Sequence, residues 1–159
     1  MLTIRSATSA DASLIHRMIQ QLADFANESE HVRTTGTDIL RDGFSANPQF
    51  RALIAEWNGH AAGFALFFNY YSTWRGAGLY LEDLYILPDF RRRGIGRALF
   101  ASVAQAATKE NLAFVRWTVL SWNQPAIEMY KATGAAFLDD WRTAVLAGDE
   151  LQKLASDLL

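Results

Sequence analysis

Two stretches of this 159-residue chain place reactive residue types at close spacing. The first is Glu82-Asp83, adjacent acids near the end of an apolar run. Such carboxylates can attract a cationic group and take a proton from it, directly or through water. The bland alternative is a surface ion pair with one of the nearby arginines. The second stretch is Arg91-Arg92-Arg93-Gly94-Ile95-Gly96-Arg97. An Arg-x-x-Gly-x-Gly turn brings several N–H groups to one point, and the helix it opens adds unpaired donors and a positive dipole end. Such a corner binds phosphate or pyrophosphate without a metal. It is not a Walker loop, because no Gly-Lys-Ser/Thr triplet exists. A dinucleotide fingerprint would need glycine or alanine three residues after Gly96, where Leu99 stands.

These groups need elements to hold them. Leu2 to Arg5 reads as a first strand. Thr8 precedes Asp11 by three residues, a helix-start signal, and Leu14, Ile15, Met18, Ile19, Leu22 and Phe25 make an apolar stripe over a helix at 9–26. A weaker helix covers 37–44. The runs 50–57 and 61–71 flank Asn58-Gly59, a strong hairpin signal, and a third strand covers 78–87. Together they form an antiparallel meander closed by Pro88. A helix at 94–109 and a strand at 113–120 follow. Asn123 can cap a further helix with Pro125 in its first turn and Gly134 at its end. Strands at 135–138 and 141–146 and a terminal helix at 149–158 complete the order β-α-α-β-β-β-α-β-α-β-β-α. The expected class is α+β, a mixed and mainly antiparallel sheet flanked by helices. On a regular strand, Glu82 and Asp83 point to opposite faces.

Composition narrows the function. Half the residues are hydrophobic and 20% are charged, so one core-forming domain over 1–159 is expected. Fifteen basic against seventeen acidic residues leave a net charge of -2, which disfavours a nucleic-acid partner. There are no cysteines, which excludes disulfides, thiolate metal sites and a cysteine nucleophile. His16, His31 and His60 lack ligand spacing, so no metal is expected. No leader or membrane span is visible, and the expected location is the cytoplasm.

The basic turn resembles the acetyl-CoA-binding motif of the GCN5-related N-acetyltransferases (GNAT), and the resemblance runs over nearly the whole chain. Within that superfamily the chain is most similar to the diamine acetyltransferases of the spermidine/spermine type and their thialysine-acetylating relatives. The residues that carry it are Asp42-Gly43-Phe44, Gly63-Phe64-Ala65, Trp74, Tyr80-Leu81-Glu82-Asp83, the glycine motif, Trp122-Asn123-Gln124-Pro125, Met129-Tyr130-Lys131 and Gly134-Ala135.

The resemblance implies roles. The backbone of Leu84, Tyr85 and Ile86 would pair with the pantetheine arm of acetyl-CoA. The turn, from Arg91 through Arg92, Arg93, Gly94, Ile95 and Gly96 to Arg97, would hold the pyrophosphate. Asn123, Gln124, Pro125 and Ala126 match a second cofactor-contacting stretch. Tyr130 falls where the family places a residue beside the thioester sulfur, and its phenol would protonate the departing thiolate. It is otherwise an aromatic packed on Met129 or Phe137. Glu82 is implied as the substrate-side acid, with Asp83 second. Asp140 and Trp141 match a late substrate-side acid and tryptophan that the family can supply from a partner subunit, although the loop before them is shorter here. Phe25 and Ala26 replace the Tyr-Glu of polyamine binders, which favours a shorter amine, an amino acid side-chain amine or a thialysine-like compound. His16, Trp57, Trp74, Trp117 and Trp122 are assigned no role, and the aromatics from Phe67 to Trp74 either line a cleft or are strand and turn.

The implied function is direct transfer of acetyl from acetyl-CoA to a primary amine of a small molecule, without metal or acyl-enzyme, by a homodimer. A strand N–H would stabilise the oxyanion. Two other readings stay open: a protein lysine or N-terminal acetyltransferase, and a non-catalytic acyl-CoA sensor.

Overall fold

The computed structural model describes residues 1–156. The chain divides into two compact units, 1–123 and 124–159.

The first unit is built on a five-stranded sheet in the order β1-β2-β3-β4-β5. The strands are β1 (Leu2–Ser6), β2 (Arg51–Trp57), β3 (His60–Ser72), β4 (Gly76–Ile86) and β5 (Val115–Arg116). Neighbours are antiparallel except β4 and β5, which are parallel. The expected hairpin forms at Asn58-Gly59. Both residues take positive φ, 52° and 81°, as a two-residue turn matched to strand twist requires.

Two helices precede the meander, α1 (Ala12–Ala26) and α2 (Gly36–Phe44). A short 3-10 turn at Ser9–Asp11 leads into α1, so the helix starts three residues later than the apolar stripe suggests. Asp11 explains the delay. It accepts from the Thr8 N–H at 2.7 Å and from the Arg5 guanidinium at 2.8 and 2.9 Å, which fixes the chain's turn out of β1. Arg5 holds the Asp11 carboxyl down at about 2. Ile15 and Met18 of α1 and Ile39 of α2 pack on Ile54, Phe64, Leu66 and Tyr85. Their side chains form the core on one sheet face.

The third helix, α3 (Ile95–Lys109), packs against β3 and β4. Its buried Ile95, Leu99 and Val103 match the buried Ala65, Phe67, Leu79 and Leu81 of the second sheet face. β3 and β4 approach closely near their cleft end. A Cβ on Gly63 would stand 2.5 Å from the Tyr85 carbonyl oxygen, so only glycine fits.

The second unit contains α4 (Gln124–Lys131) and α5 (Gly148–Ser156). The expected helix at 149–158 is present through Ser156, and its last residues lie outside those described. α4 ends at Lys131, three residues before Gly134, the residue expected to end it, whose φ is +88°.

Two expectations about strands need correction. The strand at 113–120 is reduced to Val115–Arg116, because β5 pairs with β4 only at Leu79↔Val115 and Tyr80↔Arg116. The pair at 135–138 and 141–146 does not form among the described residues. An extended run becomes a strand only where a neighbour's backbone completes the ladder. Here the Trp141 N–H turns back to the Leu138 carbonyl at 3.2 Å, and Trp141, Val145 and Leu146 stay exposed. The α+β class is unaffected.

Candidate active site

The basic turn has the backbone its sequence anticipates. Pro88–Phe90 forms a 3-10 turn after β4, and Arg92 and Gly94 then adopt positive φ of 62° and 76°. Gly94 is the residue from which α3 starts, and no side chain caps it. The first helical bond beyond the turn runs from the Ala98 N–H to the Gly94 carbonyl at 3.0 Å. Among the described residues, no backbone acceptor takes the N–H groups from Arg92 through Arg97. A Cβ on Gly94 would meet nothing within 4 Å, so the bend itself is uncovered on that side. Orphan amides at a helix start, next to a left-handed bend, suit a diphosphate.

The arginine side chains divide the labour. Arg91 Nε donates to the Ile86 carbonyl at 3.0 Å, and its guanidinium lies 5.1 Å from the Phe25 ring and 5.6 Å from that of Tyr85. Arg93 folds back on Trp57 at 5.3 Å and donates to the Asp89 carbonyl at 3.3 Å. Both side chains brace the turn. Arg92 and Arg97 are exposed.

β4 offers the second feature. Among the described residues, β4 from Leu81 to Ile86 pairs with β3 alone, because β5 has ended its pairing. In an antiparallel ladder only alternate residues use their N–H and C=O toward one neighbour. The others, within Leu84, Tyr85 and Ile86, face an open edge. An extended, amide-bearing ligand can add there as a strand does.

The acids lie just upstream, and here regular alternation fails. β3 and β4 pair Leu66↔Asp83 but Phe67↔Leu81, so one extra residue, Glu82, sits in β4 as a bulge. Paired residues share a face. Asp83 therefore lies with Leu66, and Tyr80 lies with Phe68 on that same face. The expected assignment of Glu82 and Asp83 to opposite faces holds only for an unbroken strand. Glu82 is exposed and Asp83 is partly buried. Burial, and secondarily the Glu82 charge, push the Asp83 carboxyl up to about 7. Among the described residues neither acid forms an ion pair, which removes the surface-salt-bridge alternative.

The same face carries an aromatic row. Phe68 and Tyr80 stack at 5.3 Å, and Tyr70 lies 5.7 Å from Tyr80. Phe25, at the end of α1, packs on Trp122 at 5.3 Å as well as under Arg91. It thus stands beside the basic turn. Asn123 immediately precedes α4, its N–H donating to the Leu120 carbonyl at 2.9 Å, and Gln124, Pro125 and Ala126 form the first turn of that helix.

In the second unit, Tyr130 is buried near the end of α4. Its carbonyl accepts from the Thr133 hydroxyl at 2.6 Å. Burial pushes its phenol up to about 12. Asp140 and Trp141 are exposed, with 69% of Trp141 accessible.

Sequence reasoning missed the bulge, for which nothing in Leu81-Glu82-Asp83 is a signal, and it passed over Arg116. A lone arginine inside the apolar run 113–120 was the available clue to the latter.

Comparison with known proteins gives the family and the fold. The pattern of the Acetyltransferase (GNAT) family matches residues 15–135. The chain is 35% identical over 163 residues to a thialysine N-epsilon-acetyltransferase of Mus musculus and 34% identical over 163 residues to that of Sus scrofa. In each case 96% of both chains is covered. Among solved structures, the fold is similar to AAC(6')-Iy in complex with a bisubstrate analog, CoA-S-monomethyl-acetylneamine. The TM-score is 0.73 at 20% identity, over 93% of this chain and 98% of the other.

Proposed function

This chain belongs to the GNAT family and is an N-acetyltransferase that uses acetyl-CoA, and from that premise we propose that its acceptor is a primary amine of a small molecule. One observation carries the proposal. Two carboxylates with no cation partner among the described residues lie on the strand whose open edge leads to a cradle of orphan amides. The amides from Arg92 to Arg97 would hold the diphosphate, and the open edge at Leu84–Ile86 the pantetheine arm. When bound, acetyl-CoA supplies an activated acetyl thioester.

The chain's own groups then have separable tasks. Glu82, exposed on the bulge, attracts the ammonium. Asp83, held near 7, is close in proton affinity to neutral solution and takes the amine proton, directly or through water. A strand N–H would stabilise negative charge on the thioester oxygen. Tyr130 would supply a proton to the departing sulfur. Burial holds the phenol at about 12, so it is protonated and able to donate at neutral pH. Asn123, Gln124, Pro125 and Ala126 add to the cofactor side. With no cysteine in the chain and two acids poised for proton transfer, direct transfer to the amine is the simplest chemistry.

The family match crosses from the first unit into the second, which supports reading 1–159 as one acetyltransferase domain. Diamines and thialysine-like amino acids are the favoured acceptors, supported by the names of the relatives. A homodimer is the favoured assembly, with Asp140 and Trp141 completing a partner's site. Exposed Leu138, Trp141, Val145 and Leu146 in the second unit support that reading. A cytoplasmic location is the reading of the sequence alone.

Release of free thiol from acetyl-CoA, measured over diamines, lysine analogues and lysine-containing peptides, tests the proposal. Turnover is expected with the small amines. Turnover confined to peptides would transfer the assignment to protein acetylation, and none with any acceptor would leave an acyl-CoA sensor.

A further inference from the structure

Arg116 stands on β5 directly opposite Tyr80 of β4. It therefore lies on the sheet face that also carries Tyr80, Phe68, Tyr70 and Asp83. Its guanidinium is held in one place there. Nη1 donates to the Tyr70 hydroxyl at 3.2 Å, and the guanidinium lies 5.5 Å from the Tyr70 ring and 6.0 Å from the Phe114 ring. Tyr70 is itself wedged edge-on against Phe114 at 6.0 Å. The close fit extends to Gly78, where a Cβ would stand 2.6 Å from the Phe114 ring.

This cation is half-buried, yet among the described residues no carboxylate pairs with it. A guanidinium fixed by rings, with one N–H donor engaged and the remaining fork available, is built to accept a carboxylate from outside. Three residues of β4 separate the Tyr80 level from Asp83, about 10 Å of strand. An amino acid of lysine length, with a hydrogen bond at each end, can bridge that span.

We propose that Arg116 binds a carboxylate on the acceptor, so that the substrate class is an amino acid acetylated at its side-chain amine. The proposal rests on the reading that Glu82 and Asp83 receive the amine. Charge supports it twice. A plain diamine would bring a second ammonium toward Arg116, where like charges repel. At the end of α1, Phe25 and Ala26 themselves carry no acid, and the neighbouring Asp24 carboxylate accepts from the Ser29 hydroxyl.

The test compares two acceptors of equal length that differ only in the carboxylate, thialysine and bis(2-aminoethyl) sulfide. Wild-type protein is expected to favour thialysine in kcat/KM, chiefly through KM. Arg116→Gln should lower the thialysine-to-diamine ratio of kcat/KM by about tenfold or more, the worth of a charge-assisted hydrogen-bonded pair. Tyr70→Phe keeps the ring and removes the tethering hydroxyl, and should lower the ratio by a smaller factor, about threefold. Both acceptors draw on the same folded fraction, so the ratio is insensitive to partial misfolding. A ratio unchanged in Arg116→Gln, while wild type acetylates both compounds, overturns the role of Arg116 and leaves the amine assignment standing. Wild type acetylating neither overturns both.

Discussion

The basic turn and the acid-bearing stretch of β4 are neighbours in sequence, yet they are built to recognise ligands in opposite ways. At the turn, recognition is assigned to main-chain N–H groups, and the arginines flanking Gly94 spend their side chains on Phe25, Tyr85 and Trp57. At the acid stretch, recognition is assigned to side chains, and the backbone's task is to aim them through a bulge. Main-chain recognition depends on local φ and ψ. Side-chain recognition depends on register with strands far away in sequence. The first suits a constant ligand such as coenzyme A, and the second can be retuned by single substitutions such as those at Phe25, Ala26 and Arg116.

Chemistry at side chains should show the largest single-residue effect. Tyr130→Phe is expected to lower turnover about a hundredfold, with coenzyme A affinity within about twofold of wild type, because only proton delivery is lost. Steady-state kinetics beside calorimetric titration of coenzyme A separates the two quantities. Unchanged turnover across the pH range would remove Tyr130 from the reaction.

The main-chain side should respond to backbone strain alone. Gly94→Ala introduces no clash, since nothing lies within 4 Å of its Cβ, but it forces a side chain into φ of +76°. The left-handed conformation costs about 1–2 kcal/mol, so coenzyme A binding should weaken roughly tenfold while the pH profile keeps its shape. Full affinity in this variant would show that the bend is not the diphosphate site.

The smallest effect concerns the coupling of the two acids. If Asp83 works as a base, kcat/KM rises with pH through about 7. Part of that elevation comes from the Glu82 charge, so Glu82→Gln should move the midpoint down by less than about one unit, whatever it does to the height of the curve. Stability carries the same signature with a definite sign. The folded-state carboxyl titrates at about 7 instead of 3.8, so the unfolded chain releases this proton first. The contribution of Asp83 to stability is thus present below about pH 4 and lost as pH rises toward 7. Asp83→Asn should flatten that decline in denaturant titrations. An unmoved kinetic midpoint in Glu82→Gln would show that the bulge does not bring the acids into contact.

Legibility followed the same division. The turn was readable because Gly94 supplies a left-handed bend just before a helix, although the positive φ of Arg92 has no signal of its own. Asn58-Gly59 likewise announced its hairpin, and the stripe from Leu14 to Phe25 its helix. The face of Asp83 was not readable, because alternation is a rule for regular strands and the bulge arises from pairing with Leu66 and Phe67. The run at 135–146 has strand-forming residues, but propensity cannot supply a ladder partner. Arg116 looked like a stray charge until the register set it opposite Tyr80.

By itself, the sequence determined what depends on near neighbours along the chain: the helix periods, the hairpin turn, the left-handed bend and the presence of two adjacent acids. The tertiary structure alone decided which side those acids face, how far β4 stays open beyond β5, and which cation shares their surface. The physical reason is that backbone torsions are set within a few residues, whereas strand register is a long-range choice made by the packed core.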